Sequence, residues 1–281
     1  MTRKTIGFSN AYSLNGFFYE NKGRVLEKLS SFIDSGKDKL HLVLDFDRTV
    51  TVSQNQFGEN VTTWELLANH LSVKAQSEYQ KFYETYRSLE VAGKLNPNGA
   101  IVWWEAILGL FKREGLSWSE IEKITRREMP ARAHVKELFN LCRKKRIPTV
   151  LISAGIRDVI NIWCEQYGIK PTKVLSTKLL FSDTGFIKGW SRKSLIHALN
   201  KREKGHGELT KIKLKRPNTI LIGDSTDDAL MVDGEENVIR IMIHDPRKDA
   251  AEEPDRKLLQ KFDLLIKDGT LFPVVKLIKQ F

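Results

Sequence analysis

Two carboxylates separated by one residue follow a short apolar run. Asp45 and Asp47 come directly after residues 40–44, and Thr49 stands two residues further on. In an extended or tightly turning segment, this spacing directs alternate side chains to the same side. A carboxylate can attack phosphorus, because an acyl-phosphate intermediate splits one difficult displacement into two easier ones. A second carboxylate can protonate the leaving oxygen and later activate water. The pair suggests phosphoryl chemistry, although this spacing alone is also common in surface turns.

A hydroxyl stands where a second apolar run, 148–153, enters a turn of small residues. Ser153 is followed by Ala154 and Gly155, and a helical pattern then begins. The free N–H groups at a helix start favour a phosphate group. Ser153 and Ala154 are therefore candidate phosphate ligands. The alternative from the residues alone is a serine that caps the helix.

Three acids in five residues follow a third apolar run, 218–223. Asp224, Asp227 and Asp228 suggest a hard divalent cation, since Mg²⁺ prefers one or two carboxylates, water and substrate phosphate. Acids at a helix N-terminus are also favourable without a metal, so both interpretations stay open. A phosphoryl group also needs a positive partner. The chain offers six candidates: Lys188, Arg192, Lys193, Lys201, Arg202 and Lys204.

The elements that position these residues follow an alternating pattern. Short apolar runs predict buried strands at 40–45, 148–153, 173–177, 218–223, 238–243 and 263–266. Helical periodicity predicts helices at 24–34, 133–146, 156–167, 192–201 and 270–279, with a hairpin turn at 183–185 and a basic linker at 203–217. This alternation predicts an α/β fold with a doubly wound, Rossmann-like parallel sheet. Ligands of such sheets bind outside the carboxyl ends of the strands, where Asp45, Ser153 and Asp224 stand.

The block between the first strand and Pro130 shows helical periodicity and no strand pattern. Its break falls at 92–99, and Ser117 and Ser119 are candidate N-caps for the last helix of the block. We therefore predict an α/β core of residues 1–50 and 130–281. An all-helical cap domain, residues 51–129, is inserted into it.

Composition bounds the partners of the chain. A net charge of +11 and a pI of about 9.5 suit anionic partners, but the basic residues are spread and lack the interleaved aromatics of a single-strand binding platform.

Cys142 and Cys164 are expected to be reduced packing residues. Residues 1–7 lack a signal-peptide pattern, and no apolar stretch is long enough to span a bilayer. We expect a cytoplasmic protein with a small-molecule partner, without nucleic-acid or membrane partners.

In order, these segments resemble the four motifs of the haloacid dehalogenase-like superfamily. Residues 45–49 (Asp-Phe-Asp-Arg-Thr) match motif one, Ser153 matches motif two, and residues 223–228 (Gly-Asp-Ser-Thr-Asp-Asp) match motif four. Three further runs are similar to the cytosolic pyrimidine 5′-nucleotidase family: 153–159, 183–201 and 224–234. In the second run an Asn-Lys pair identifies Lys201 as the motif-three lysine.

The resemblance implies a role for each residue. Asp45 is the nucleophile and an Mg²⁺ ligand, and Asp47 is the general acid/base that also offers its backbone carbonyl to the metal. Ser153 and Lys201 hold phosphoryl oxygens. Asp224 is a metal ligand, and Asp228 holds the metal's water shell or orients Lys201.

One residue of the predicted cap is implied in base recognition. Residues 88–91 (Ser-Leu-Glu-Val) are similar to an Ile-Glu-Val-Asp run of the family, which makes Glu90 a candidate for hydrogen bonding the amino edge of a base. A solvated glutamate at a helix end is the alternative. Trp103, Trp104, Tyr83 and Tyr86 are candidates for stacking on a base, although aromatics at helical spacing are more often core residues.

The chain departs from the family at four places. Ala92 replaces an acid, Arg48 stands where Met or a small residue is usual, Arg157 replaces a glycine, and the run 103–108 lacks an expected serine. Substrate preference therefore stays open.

The leading prediction is an Mg²⁺-dependent phosphomonoester hydrolase that forms an aspartyl-phosphate and acts on nucleoside 5′-monophosphates, pyrimidine by preference. The alternatives are a phosphatase for phosphoserine or a sugar phosphate, and a non-catalytic phosphate- or nucleic-acid-binding protein. The complete motif set argues against the last alternative.

Overall fold

The computed structural model describes residue 14 and residues 16–203, 206–234, 236–244 and 260–281. Residues 1–7, Lys204 and parts of the predicted core and basic linker lie outside this range. Eight strands are present in the described chain: β1 (Leu40–Leu44), β2 (Thr149–Ile156), β3 (Lys173–Thr177), β4 (Leu179–Phe181), β5 (Ile187–Trp190), β6 (Asn218–Gly223), β7 (Val238–Ile243) and β8 (Leu264–Ile266).

Six of these strands form one parallel sheet in the order β3-β2-β1-β6-β7-β8. From β1 the chain proceeds to β2 and β3 on one side, and from β6 to β8 on the other. The order therefore reverses between β1 and β6, which is the topological switch point of a doubly wound fold. The predicted fold class is confirmed.

Both faces of the sheet are buried. Alternate residues of one strand point to opposite faces; in β1, Leu42 and Leu44 belong to one apolar cluster and Val43 to another. Both clusters include residues from helices and loops, so the strands form continuous apolar runs.

The described helices are α1 (Lys22–Ser35), α2 (Thr63–Ala68), α3 (Val73–Val91), α4 (Pro97–Arg113), α5 (Trp118–Glu128), α6 (Val135–Lys145), α7 (Arg157–Tyr167), α8 (Gly207–Lys215) and α9 (Phe272–Lys279). The first five helices, α1 to α5, begin with a side-chain N-cap. The side chain of Thr62 accepts from the backbone of Glu65 at the start of α2. Ser117 and Glu120 form a capping box at the start of α5, so Ser117 is the N-cap of the two predicted candidates.

Helices α2 to α5 lie between β1 and β2 in the chain. They pack on one another, α2 against α5 and α3 against α4, and also on the rest of the fold, α5 against α7 and α4 against β5. The largest apolar cluster runs through both regions and includes Trp104 of α4 and Trp163 of α7. The division into core and cap remains a prediction.

The structure corrects the predicted helix 192–201. Only a short 3₁₀ turn, Arg192–Ser194, forms there. The side chain of Asn200 accepts from the N–H of His197 at 2.7 Å and donates to the carbonyl of Leu195 at 3.0 Å. These bonds compete with a helical ladder.

The prediction of a linker at 203–217 is wrong for residues 207–215, which form α8. The many basic residues of this segment favoured the prediction of a linker, although the segment also has an apolar helical face. Leu209 is buried in the smaller of the two clusters that cover the sheet, and Ile212 packs against it. Packing of an apolar face stabilises a short helix that propensity alone does not.

Both cysteines, Cys142 and Cys164, are buried and free, as predicted. None of the helices in the described part of the chain has the length and hydropathy required to cross a membrane.

Candidate active site

Three strand ends bring the motif residues together. In β1, Leu44 pairs with Leu151 of β2 on one side and with Ile222 of β6 on the other. Asp45, Ser153 and Asp224 follow these paired residues at the same edge of the sheet. This edge is next to the switch point, where a crevice forms because neighbouring connections lead to opposite faces.

Lys201 links two buried carboxylates. Its Nζ donates to Oδ1 of Asp45 and, at 2.8 Å, to Oδ1 of Asp228. Burial raises the pKa of Asp45 to about 6, although Lys201 opposes this shift. Burial alone would lower the pKa of Lys201, but the carboxylates of Asp228 and Asp45 hold it above its ordinary value. Lys201 is therefore a fixed positive charge beside Asp45. Thr49 donates to the other Asp45 oxygen, Oδ2, at 3.2 Å.

Asp47 is held by the first turn of α2. Its Oδ1 accepts from the backbone N–H of Thr63 at 2.8 Å, and its Oδ2 accepts from Thr63 Oγ1 at 3.1 Å. Burial, together with the charge of Asp45, raises the pKa of Asp47 to about 7. A carboxyl group with a pKa near neutrality suits proton transfer in both directions.

The turn after β2 leaves no space for a side chain at Gly155. A Cβ there would overlap Thr63 Oγ1 and lie 2.9 Å from Asp47 Oδ2. The N–H of Gly155 donates to Ser153 Oγ at 3.0 Å. The Ser153 hydroxyl accepts this bond and keeps its proton to donate, which is what a phosphoryl oxygen requires.

Asp228 organises the turn after β6. Its Oδ2 accepts from the backbone N–H groups of Asp224 and Ser225, each at 3.0 Å. Its Oδ1 faces Lys201, so one carboxylate fixes both the turn and the lysine. A Cβ at Gly223 would overlap the Asp228 side chain, so this position needs glycine.

Asp45, Asp224 and Asp228 form an acidic cluster that suits a cation. One carboxylate oxygen from each lies within 4.8 Å of the others. Burial, followed by the charges of Asp228 and Asp45, raises the pKa of Asp224 well above its ordinary value. Lys201 offsets only part of this charge, and the donors are all hard oxygens. The residues therefore fit a hard divalent cation.

Arg132 anchors the loop that follows Asp47. It is buried with 2% exposure, and its guanidinium donates to the carbonyls of Arg48, Thr49, Thr51 and Gly269. Arg48 has a left-handed backbone with φ 62°, and its N–H donates to Thr51 Oγ1 at 2.8 Å. Both backbone polar groups of Arg48 are thus held in place.

A cavity of about 250 Å³ opens from these residues toward α3 and α4. The structure brings eight of the residues singled out in the sequence to its wall, Asp45, Asp47, Glu90, Ser153, Ala154, Lys201, Asp224 and Asp228, whereas Asp227 is not part of that wall. The wall carries the carboxylates and Lys201, and it also carries aromatic side chains of α2 to α4 and Glu90.

The aromatic wall joins α2, α3 and α4. Trp103 and Trp104 are 5% and 7% exposed, so they are core residues that also line the cavity. The indole N–H groups of Trp64 and Trp104 donate to the carbonyl of Ala154 at 3.2 and 2.8 Å. The Trp103 indole nitrogen is buried and has no hydrogen-bond partner in the described part of the chain. It is a donor available to a ligand.

The two arginines that depart from the family, Arg48 and Arg157, lie in different environments. Arg48 lines the cavity, and Arg87 of α3 forms an ion pair with Glu90 there. Arg157 is absent from the described residues of the cavity wall and donates to the carbonyl of Ser176 at 2.7 Å. Of the two extra arginines, only Arg48 can contact a ligand in this cavity.

Thr63, Glu65 and Arg132 are among the site residues that were not predicted. Thr63 and Glu65 look like ordinary first-turn residues of α2, where a capping signal explains them. Arg132 follows Pro130 in a loop, and the sequence contains no signal that its guanidinium is buried.

Comparisons with known proteins identify the family of the chain. The family model of pyrimidine 5′-nucleotidase (UMPH-1) matches residues 49–281. A Xenopus laevis protein, 7-methylguanosine phosphate-specific 5′-nucleotidase A, is 27% identical over 267 residues, which cover 91% of each chain. The corresponding human 5′-nucleotidase is 26% identical over 262 residues, covering 89% of this chain and 87% of the human protein.

Solved structures share the fold. Cytosolic 5′-nucleotidase IIIB bound to cytidine superposes with a TM-score of 0.77 and 24% identity, covering 95% of this chain and 93% of the other. A substrate-bound phosphoserine phosphatase superposes with a TM-score of 0.57 and 18% identity, covering 85% of this chain and 97% of the other. The family model spans most of the sequence, so the chain belongs to the pyrimidine 5′-nucleotidase family of phosphoric monoester hydrolases.

Proposed function

We propose that this protein hydrolyses nucleoside 5′-monophosphates through a phosphorylated Asp45, with Mg²⁺ as its cofactor. The observation that carries the proposal is one continuous cavity with two chemically different sets of lining residues. Asp45, Asp47 and Lys201 suit a phosphate, and Glu90 and Trp103 suit a base. A nucleotide has the same two parts, a phosphate and an aromatic base.

In the first step a carboxylate oxygen of Asp45 attacks phosphorus, and the bond between phosphorus and the 5′-oxygen breaks. Asp47 gives its proton to that oxygen, so the nucleoside leaves as a neutral alcohol. In the second step water attacks the phosphorus of the aspartyl-phosphate and Asp47 takes a proton from it. Inorganic phosphate leaves, and Asp45 returns to a carboxylate. Ser153 and Lys201 hold the phosphoryl oxygens in both steps.

Asp45 and Asp224 would hold Mg²⁺, with the backbone carbonyl of Asp47. Asp228 would hold the metal's water shell while orienting Lys201. The cation supplies positive charge that offsets the phosphoryl oxygens and the surrounding acids. The support is the acidic cluster, which has more buried carboxylates than Lys201 can neutralise.

The base is proposed to bind between the inserted helices, which makes residues 51–129 a substrate-selecting cap on a core of residues 1–50 and 130–281. Glu90 would accept from an amino group of the base and Trp103 would donate its free N–H. A pyrimidine is favoured by the name of the family, and a relative in fold is known with cytidine bound. A cytoplasmic location is part of the same proposal.

A second candidate is 7-methylguanosine 5′-monophosphate, the substrate named for the vertebrate relatives. Its base carries a positive charge, which suits an aromatic wall beside a carboxylate. Against it stands the ion pair of Arg87 with Glu90, which neutralises that carboxylate.

The decisive experiment measures phosphate release from CMP, UMP, GMP, 7-methylguanosine monophosphate, phosphoserine and glucose 6-phosphate, with Mg²⁺ and with a chelator. The proposal expects kcat/KM to be highest for a nucleotide, and only with Mg²⁺. Preference for phosphoserine or the sugar phosphate would overturn the substrate class. No release from any monoester, with binding retained, would indicate a non-catalytic phosphate-binding protein.

A further inference from the structure

A second pair of opposite charges faces the cavity next to the catalytic acids. Arg48 Nη2 lies 3.4 and 3.5 Å from the two carboxylate oxygens of Glu65. Both side chains line the cavity and are about one-fifth exposed, at 21% and 20%. The contact is longer than a good charged hydrogen bond, so each partner keeps capacity for a ligand.

Arg48 has a donor that the described protein leaves unused. Its Nε is buried and has no hydrogen-bond partner in the part of the chain that the structure describes. The backbone of Arg48 is fixed on both sides by Thr51 and Arg132. An anchored guanidinium with a free buried donor is preorganised for an acceptor that arrives with the substrate.

The pair has a fixed position relative to Asp47. Arg48 follows Asp47 in the chain, and Glu65 is two residues after Thr63, which binds both oxygens of Asp47. The start of α2 is itself capped by Thr62 at 3.1 Å from the Glu65 nitrogen. Asp47 protonates the 5′-oxygen in the proposed mechanism, so Arg48 and Glu65 lie beside the sugar that carries this oxygen.

The chemistry of the pair suits vicinal hydroxyl groups. Each hydroxyl of a sugar both donates and accepts, Glu65 accepts only, and Arg48 donates only. The pair is neutral overall, and Glu65 would repel a second phosphate or carboxylate group. A neutral diol therefore fits better than an additional anion.

We infer that Arg48 and Glu65 bind the 2′- and 3′-hydroxyls of ribose and make this enzyme selective for ribonucleotides over 2′-deoxyribonucleotides. The inference rests on the proposed nucleotidase function. Loss of one hydroxyl removes a hydrogen bond to a charged group, which corresponds to a loss of about tenfold or more in kcat/KM.

The test compares kcat/KM for CMP with that for 2′-deoxy-CMP, and for GMP with that for 2′-deoxy-GMP, so that sugar and base effects separate. The wild-type protein is expected to prefer each ribonucleotide by at least about tenfold. Arg48→Met and Glu65→Met should each bring both ratios toward one. Arg157→Met, the same change at the arginine outside the cavity, should keep them.

Each outcome of this comparison either supports the ribose inference or contradicts it. Equal rates for the ribo and deoxy substrates in the wild type, or an unchanged preference in both variants, would overturn the inference and leave the nucleotidase proposal intact. If no nucleotide is hydrolysed, the proposed function fails and this inference fails with it. Glu65→Met keeps the length of the side chain and removes its acceptors, so the test stands even where Arg48→Met does not fold.

Discussion

Thr63 binds both oxygens of the Asp47 carboxylate, one through its backbone N–H at 2.8 Å and one through its hydroxyl at 3.1 Å. The same hydroxyl accepts from the N–H of Ile156 at 3.1 Å. One threonine of α2 therefore connects the loop after β1 with the end of β2. The proposed acid/base is thus positioned by a residue of the inserted helices.

Replacing the Thr63 hydroxyl should lower the rate of chemistry more than binding. Thr63→Val keeps the branched shape but frees one Asp47 oxygen, and a misplaced catalytic group costs about 100-fold in kcat. The N–H of Ile156 also loses its acceptor, which lowers the free energy of unfolding by about 1–3 kcal/mol. Steady-state kinetics and thermal unfolding measure the two effects. Thr63→Ser retains the hydroxyl and should restore most of the activity, and a wild-type kcat in Thr63→Val would contradict this role.

Gly155 and Gly109 form a matched pair of glycine tests. A methyl group at Gly155 would overlap Thr63 Oγ1 and approach Asp47 Oδ2 to 2.9 Å, so Gly155→Ala should reduce kcat by about tenfold or more. A methyl group at Gly109, inside α4, meets nothing within 4 Å. Gly109→Ala should keep activity and raise the free energy of unfolding by about 0.5–1 kcal/mol. Equal activity in the two variants would mean that the turn after β2 tolerates displacement.

Asp45→Asn should abolish turnover, because an amide does not form the acyl-phosphate. We expect kcat to fall by at least about 1000-fold, with a retained circular dichroism spectrum and cooperative unfolding. The control is Asp183→Asn, a change in the turn between β4 and β5. Substantial turnover by the Asp45 variant would remove this residue from the nucleophile role.

Metal should be required and should also stabilise the protein. Mg²⁺ that binds only the folded state at 100 times its dissociation constant adds about 2.7 kcal/mol to the free energy of unfolding, so a chelator should lower the Tm and stop phosphate release. Asp224→Asn should raise the Mg²⁺ concentration for half-maximal activity by about tenfold or more. Glu84→Gln, on the surface of α3, should leave it unchanged. A wild-type Tm that does not change with Mg²⁺ concentration would argue against the acidic cluster as the Mg²⁺ site.

Replacing Glu90 should raise the KM for nucleotides more than the KM for simple phosphoesters. Glu90→Ala removes the proposed acceptor for the base and is expected to raise the KM for CMP by about tenfold, and the KM for p-nitrophenyl phosphate by less. The variant also frees the charge of Arg87, which the structure pairs with Glu90. The double variant Arg87→Ala/Glu90→Ala separates this charge effect from base recognition. Equal changes in KM for both substrates would show that Glu90 does not contact the base.

Local patterns explain why much of the fold was predictable. A buried parallel strand is a short apolar run, and such runs identified β1, β2 and β6 with their polar ends. The family, the fold class and the enzyme class predicted from these segments are confirmed. The segment 192–215 was mispredicted, because a side-chain amide at Asn200 and a buried Leu209 decide its structure. The individual roles of Asp45, Asp47, Ser153, Lys201, Asp224 and Asp228 remain predictions that these experiments test.

The sequence by itself determined which carboxylates and which hydroxyl stand at strand ends, because strand periodicity and motif spacing are local properties, and it identified Lys201 through the family resemblance. Only the tertiary structure decided how these groups are held. Arg132 reaches the carbonyl of Arg48 across 84 residues, and Thr63 reaches Asp47 across 16. Such contacts depend on how α2–α5 pack over the sheet, and no local periodicity encodes that packing. The pairing of Arg48 with Glu65 at the cavity wall arises from the same packing.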